Sequence, residues 1–209
     1  MKSKRKPCTA AELMARLQAD PDWVRRDAER RAKHAALVAQ TQREIEPEHA
    51  PLIAELAAAG VKVRMNAKAQ LTLPPDQRPG DAPLHVQSID DLVNTRDSYP
   101  EAIPILVRHM HTVQHPIMVD TIARALTVKE ARGTGAVGII LYRLKHTKPS
   151  PTEAGDEYQA RWALANALTV LADGTVLEEI QRLLQDEHYQ DVWDRLRIAV
   201  KRADSDKRA

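Results

Sequence analysis

Three histidines, His109, His111 and His115, stand close enough in the chain to suggest a shared metal ion. A zinc site on one helix needs ligands one turn apart, and His111 and His115 have that spacing. Pro116 follows at once, and the residue before a proline is pushed out of helical geometry. No cysteine is near and the nearest carboxylate is Asp120, so the set reads as surface histidines at a turn between helices. The paired carboxylates Asp90-Asp91, Glu178-Glu179 and Asp186-Glu187 fall at helix starts or ends. General acid–base work needs two such groups facing one cleft, which adjacent residues on a helix do not provide. Capping and the helix dipole account for the first two pairs. Gly133 to Gly138 reads GTGAVG, but no buried strand precedes it and no Lys-Ser/Thr follows, so a phosphate-loop reading fails. The single cysteine, Cys8, cannot form an intramolecular disulfide, and no His/Asp constellation can be tied to it. GxSxG, HExxH and CxxC patterns are absent. The sequence therefore yields no catalytic residue, no metal ligand and no cofactor, and points to binding by a surface.

The elements that would build such a surface are helical pairs. In Ser98–Lys129, Ile103, Leu106, Val107 and Met110 mark one helical face, and Met118, Ile122, Ala125 and Leu126 mark a second after His115-Pro116. Neither helix can bury its stripe alone. Two further pairs follow: 134–146 with 156–171, and 176–186 with 189–203. Ile122-Ala123-Arg124-Ala125-Leu126, Leu164-Ala165-Asn166-Ala167-Leu168 and Leu196-Arg197-Ile198-Ala199-Val200 occupy matching places in the second helices. Helix pairs repeating in this way predict an α-solenoid. Its inner side would carry Asp120, Arg124, Trp162, Asn166, Asp194 and Arg195, a strip for a protein partner with Trp162 as anchor.

The region before residue 84 reads as a helical extension packed on one end of that body. Thr9…Glu12 is a capping box, and Asp20-Pro21 restarts the chain as N-cap and first helical residue. A helix is predicted from about Pro21 to Glu44, broken by Pro47, with a short helix Pro51–Ala59 ended by Gly60. Alternation at 61–65 and 69–73 predicts a small β-hairpin turning at 66–68, before a proline-rich loop at 74–83. Capping boxes are also expected at Ser98…Glu101 and Thr175…Glu178, and an acidic helix start at Ser88…Asp91. Residues 204–209 are expected to be a frayed polar tail.

Composition agrees with exposed helices. Of 209 residues, 29% are charged and 43% apolar, phenylalanine is absent, and packing must rely on Leu, Ile, Val and Ala. Residues 1–45 carry 11 Lys and Arg against 6 Asp and Glu; residues 46–209 carry the remaining 20 and 23 of the chain's 31 and 29. That basic arm opens an alternative, nucleic-acid binding through Arg25, Arg26, Arg30, Arg31 and Lys33, although mixed charge for solubility explains it more simply. The start MKSKRKPCTAAELMARL has no apolar h-region, and the longest apolar run, Ala136–Tyr142, is too short for a membrane span. A cytoplasmic protein is expected.

The segments Ala102-Ile103-Pro104-Ile105-Leu106, Arg161-Trp162-Ala163-Leu164-Ala165-Asn166-Ala167-Leu168, and Asp91–Thr95 followed by Tyr99-Pro100-Glu101-Ala102 resemble the HEAT-repeat family, in particular small bacterial members of unassigned role. The likeness covers about 88–203. It implies a mainly α fold, a right-handed superhelix of about three helix pairs over 84–209, and protein–protein binding on a curved face of second helices. The family pattern often has an arginine where Arg161 stands; the aligned positions here are Val119 and Trp193. At fold level the likeness extends to HEAT-like DNA glycosylases acting on alkylated bases, and to bilin-lyase-like enzymes.

Overall fold

The computed structural model describes residues 9–66, 70, 71, 76, 78, 80–149 and 160–208. The basic leader with Cys8, the expected turn at 67–68, most of the expected second hairpin strand and proline-rich loop, and the start expected at Asp156 lie outside them. The described chain is mainly helical, with one small antiparallel sheet. It forms two compact units, Met1–Glu44 and Ile45–Ala209.

In the first unit, helix α1 (Ala10–Gln18) opens with the expected capping box: Glu12 donates its backbone N–H to the Thr9 hydroxyl at 3.2 Å, and Thr9 N–H donates to the Glu12 carboxylate at 2.9 Å. The Asp20 carboxylate accepts from Asp22 N–H at 3.0 Å and Trp23 N–H at 3.3 Å, which caps helix α2 (Pro21–Ala58) as predicted.

Helix α2 corrects one expectation: it runs through Pro47 and Pro51 without ending. Each internal proline removes a helical hydrogen bond, a cost of about 3 kcal/mol. Tertiary contacts within the second unit offset it. Leu52 and Leu56 are fully buried, Ile45 and Ile53 pack against the core, and the Glu48 carboxylate accepts the backbone N–H of Gln114 at 2.8 Å and of His115 at 3.2 Å. Gly60, at φ +70°, turns the chain beyond the helix, as expected of a residue that needs the left-handed region.

Strand β1 (Lys62–Val63) pairs antiparallel with β2 (Leu84–His85), in the register Lys62 to His85 and Val63 to Leu84; the expected hairpin partner at 69–73 lies mostly outside the described residues. Val63 is buried, and Arg64 ties the strand to a distant turn: its guanidinium contacts the Asp97 carboxylate at 2.7 and 3.0 Å, and its backbone N–H donates to the same group at 2.6 Å. Those bonds hold the Asp97 carboxyl below its ordinary value.

The remaining helices are α3 (Ile89–Val93), α4 (Ala102–Thr112), α5 (Pro116–Ala125), α6 (Ala136–His146), α7 (Ala160–Leu171), α8 (Leu177–Leu183) and α9 (Trp193–Arg208). Helices α3, α5, α7 and α9 contact one another in that order; α4 packs on α5 and α6, α6 on α7, and α8 on α9. Helix α7 lies at the centre and is buried on nearly every side, through Ala163, Leu164, Ala165, Ala167, Leu168 and Leu171. Its alanines let neighbouring backbones approach, which is how a chain without phenylalanine fills its core. Side chains also close helix ends: the Arg132 guanidinium donates to Val170 O at 2.7 Å, and the Tyr99 hydroxyl to Ala125 O at 2.8 Å.

Local capping departs from expectation in two places. Ser98 donates its hydroxyl to Glu130 at 2.8 Å, and α4 starts without a side-chain cap. Thr175 turns to Asp173, and α8 also starts uncapped. The Ser88…Asp91 box forms as expected. The third pair is cut differently too: a 3-10 turn, Glu187–Val192, precedes α9, which continues to Arg208 where a frayed tail was expected.

Candidate functional site: an arginine–tryptophan strip on α5, α7 and α9

Arg124, Trp162 and Arg195 were expected on one strip of the three second helices, and the fold brings them together. Trp162 is half-buried and packs against the core. The Arg195 guanidinium lies 4.8 Å from its ring centroid and that of Arg124 lies 5.7 Å away. Both fall within the range in which a guanidinium is attracted to an aromatic face. The three helices α5, α7 and α9 thus meet at one aromatic ring.

The two arginines differ in what else they touch. Arg124 is held by Asp120, one turn earlier on α5, at 2.7 and 3.3 Å. Asp120 is 6% exposed, which corrects its assignment as a surface residue: it positions Arg124. Arg195 makes no ion pair among the described residues. The Asp90 carboxyl on α3 is raised above its ordinary value, first by burial and then by Asp91, with Arg124 opposing and Asp120 adding to the rise. The strip therefore runs from acidic groups near α3 to a cation without an acidic partner on α9.

Asn166 is half-buried on α7. Asp194 is not part of the cluster: its carboxylate is exposed and pairs with Arg197, on its own helix, at 3.1 Å. Arg197 in turn lies 5.9 Å from the Trp193 ring. So the structure brings together Asp120, Arg124, Trp162 and Arg195, and sets Asp194 apart.

Arg161 was noticed in the sequence only as a position of the repeat pattern, yet it is 2% exposed and the largest fully buried side chain. It donates to His188 O, lies 3.3 Å from the Asp191 carboxylate, and stacks at 4.5 Å over Tyr189. Its Nε and Nη1 have no hydrogen-bond partner. Arg161 thereby ties α7 to the 3-10 turn before α9 and fixes the neighbour of Trp162 in the chain. The signal available in the sequence was an arginine at a helix position where Val119 and Trp193 stand in the other pairs.

The five cations of the nucleic-acid alternative lie on α2 and are exposed. Three are neutralised within the helix: Arg25 by Asp22 at 3.0 Å, and Arg30 and Arg31 both by Asp27, whose carboxylate is buried beneath them. Arg26 and Lys33 make no ion pair among the described residues.

The histidine set does not share a helix. His115 caps α5, with its Nδ1 accepting from Ile117 N–H at 3.3 Å. Among the described residues, no group of three or more His, Cys, Asp or Glu side chains is placed to hold a metal ion, and no helix is long and apolar enough to cross a membrane. Comparison with protein-family models, characterised proteins and solved structures finds no match for this chain. The resemblance to HEAT repeats rests on the sequence segments quoted above.

Proposed function

We propose that this chain is a non-enzymatic binding protein that grips another protein through the strip on α5, α7 and α9. In this reading α3–α9 act as a short HEAT-like solenoid, with second helices facing the partner. The observation that carries the proposal is Trp162, half-buried and flanked by guanidiniums from two neighbouring helices, one of them without an acidic partner among the described residues. A ring held in place loses little freedom on binding, and Trp and Arg are the residue types that most often dominate interface energies. Arg195 would recognise a carboxylate on the partner, while Trp162 would cover an adjacent apolar side chain. Nucleic acid is the weaker reading, because Arg25, Arg30 and Arg31 already have internal carboxylate partners.

The test is affinity capture from the native lysate with wild type, Trp162→Ala and Arg195→Glu, followed by titration of the captured protein. The proposal requires both variants to lose at least about tenfold in affinity while retaining the wild-type circular dichroism. A partner held equally by all three refutes the strip. Retention that collapses with salt and with nuclease treatment transfers the function to nucleic acid.

A further inference from the structure

A second feature lies where the carboxyl-terminal ends of α4 and α6 meet the amino-terminal end of α5. It is a cavity of about 460 Å³, lined by His111, Tyr142, Arg143, His146 and Lys148 among others. No aspartate or glutamate lines it among the described residues. Glu48 accepts from the backbone N–H groups of Gln114 and His115, next to the cavity-lining Gln114.

Two side chains give the cavity an anionic preference. Arg143 is fixed by a 2.8 Å bond from its Nη2 to Val113 O, while its buried Nε has no acceptor. Lys148 is exposed at the rim and adds an ammonium that makes no ion pair among the described residues. Pro116, the first residue of α5, also lines the cavity, but the carboxyl-terminal ends of α4 and α6 oppose its dipole, so the preference rests on the side chains. An aromatic pair completes the set: Tyr142 is exposed, its ring lies 4.2 Å from that of His146 at a tilt of 32°, and the His146 Nδ1 lies 2.7 Å from Tyr142 O.

We propose that this cavity binds a small phosphomonoester carrying a flat ring, with the phosphate between Arg143 and Lys148 and the ring on the Tyr142–His146 pair. Arg and Lys around one pocket match a phosphate better than a neutral ligand, and the volume exceeds what a bare ion needs. The site is separate from the strip and does not depend on its role.

The imidazole resonances of His111 and His146 in the full chain report occupancy. Three probes are titrated at low salt: inorganic phosphate, a nucleoside monophosphate and the matching nucleoside. The expected result is saturable shifts with the monophosphate, weaker ones with phosphate, and none with the nucleoside. Lys148→Glu, an exposed change, should weaken the monophosphate by at least about tenfold with an unchanged circular dichroism spectrum. His146→Ala should bring the monophosphate down to the level of inorganic phosphate. No saturable shift up to about 10 mM monophosphate overturns the proposal. So does a nucleoside that binds as tightly as its monophosphate, or binding that Lys148→Glu leaves intact.

Discussion

Arg161 offers a sharp test of how this fold is held. Its favourable contacts are a charge-assisted bond to His188 O, worth about 1.5–3 kcal/mol, stacking on Tyr189, about 2 kcal/mol when desolvated, and a half-exposed ion pair with Asp191, no more than about 1 kcal/mol. Against these stand two buried N–H groups without acceptors, at about 1–3 kcal/mol each. The two sides nearly cancel, as is common for buried charges. Arg161→Met keeps much of the stem volume and removes the orphaned donors, so it should change stability by less than about 1 kcal/mol in either direction. Arg161→Ala leaves a cavity beside α7 and should cost about 2–4 kcal/mol. Asp191→Asn, at a half-exposed carboxylate, should cost under about 1 kcal/mol. Urea unfolding at fixed pH, followed by far-ultraviolet circular dichroism, measures all three. If Arg161→Met loses about 3 kcal/mol or more, the guanidinium is satisfied in a way the contacts do not reveal, and the reasoning fails.

Other consequences follow from single contacts. The Tyr99 hydroxyl is pushed up to about 12 by burial, with Glu130 adding to the rise. Stability should therefore hold below pH ~10 and fall between there and pH ~12 by up to about 1.4 kcal/mol per pH unit, because the unfolded chain loses that proton first. Tyr99→Phe should remove this slope, while costing about 1 kcal/mol at neutral pH through the orphaned Ala125 carbonyl; melting temperatures against pH decide it. The Asp97 carboxyl is held low chiefly by its bonds to Arg64, so its contribution is present above the usual carboxylate range and lost as pH falls through the lowered value. Asp97→Asn should flatten that part of the acid unfolding curve. Glu48→Ala should destabilise by about 1–3 kcal/mol, since two N–H groups at the start of α5 lose their charged acceptor, and amide exchange at Gln114 and His115 should quicken.

The parts of the fold legible in the sequence are those set by short-range rules. The apolar stripes of α4 and α5 need only a period of 3.6, and Ile103, Leu106, Met110, Met118 and Ile122 are all buried as that period requires. The caps at Thr9, Asp20 and Ser88 are equally local. Readings failed where a distant residue supplied the better partner. Ser98 and Glu101 have the spacing of a capping box, but Ser98 bonds Glu130, 32 positions away. Val63 lies in an alternating stretch, and its strand pairs with the distant Leu84–His85, beside the long-range contact of Arg64 with Asp97. Pro47 breaks helices in isolation, and only the burial of Leu52 and Leu56 shows why this one continues.

The candidate strip divides along the same line. Helical alignment pairs Trp162 with Asp120 and Asp194, and Arg124 with Asn166 and Ile198; it could place Arg124, Trp162 and Arg195 on the faces of neighbouring second helices, though not at equivalent positions. It could not assign their partners, which depend on side-chain direction. Asp120 and Asp194 look alike in sequence, each an acid near an arginine on a second helix. One is buried and braces Arg124 toward Trp162; the other is open and draws Arg197 toward Trp193. Arg195 is left facing Trp162 without an acidic partner of its own. An arginine already held by a carboxylate has little to gain from a second one, whereas an unpaired arginine fixed over an aromatic ring can accept a partner's carboxylate with little further loss of freedom. On these grounds Arg195→Glu should be the more damaging charge reversal for binding, and Arg124→Glu the more damaging for stability, since it sets a second acid against buried Asp120. The reverse ranking, measured by titration and urea unfolding on the same samples, would move the centre of recognition from α9 to α5.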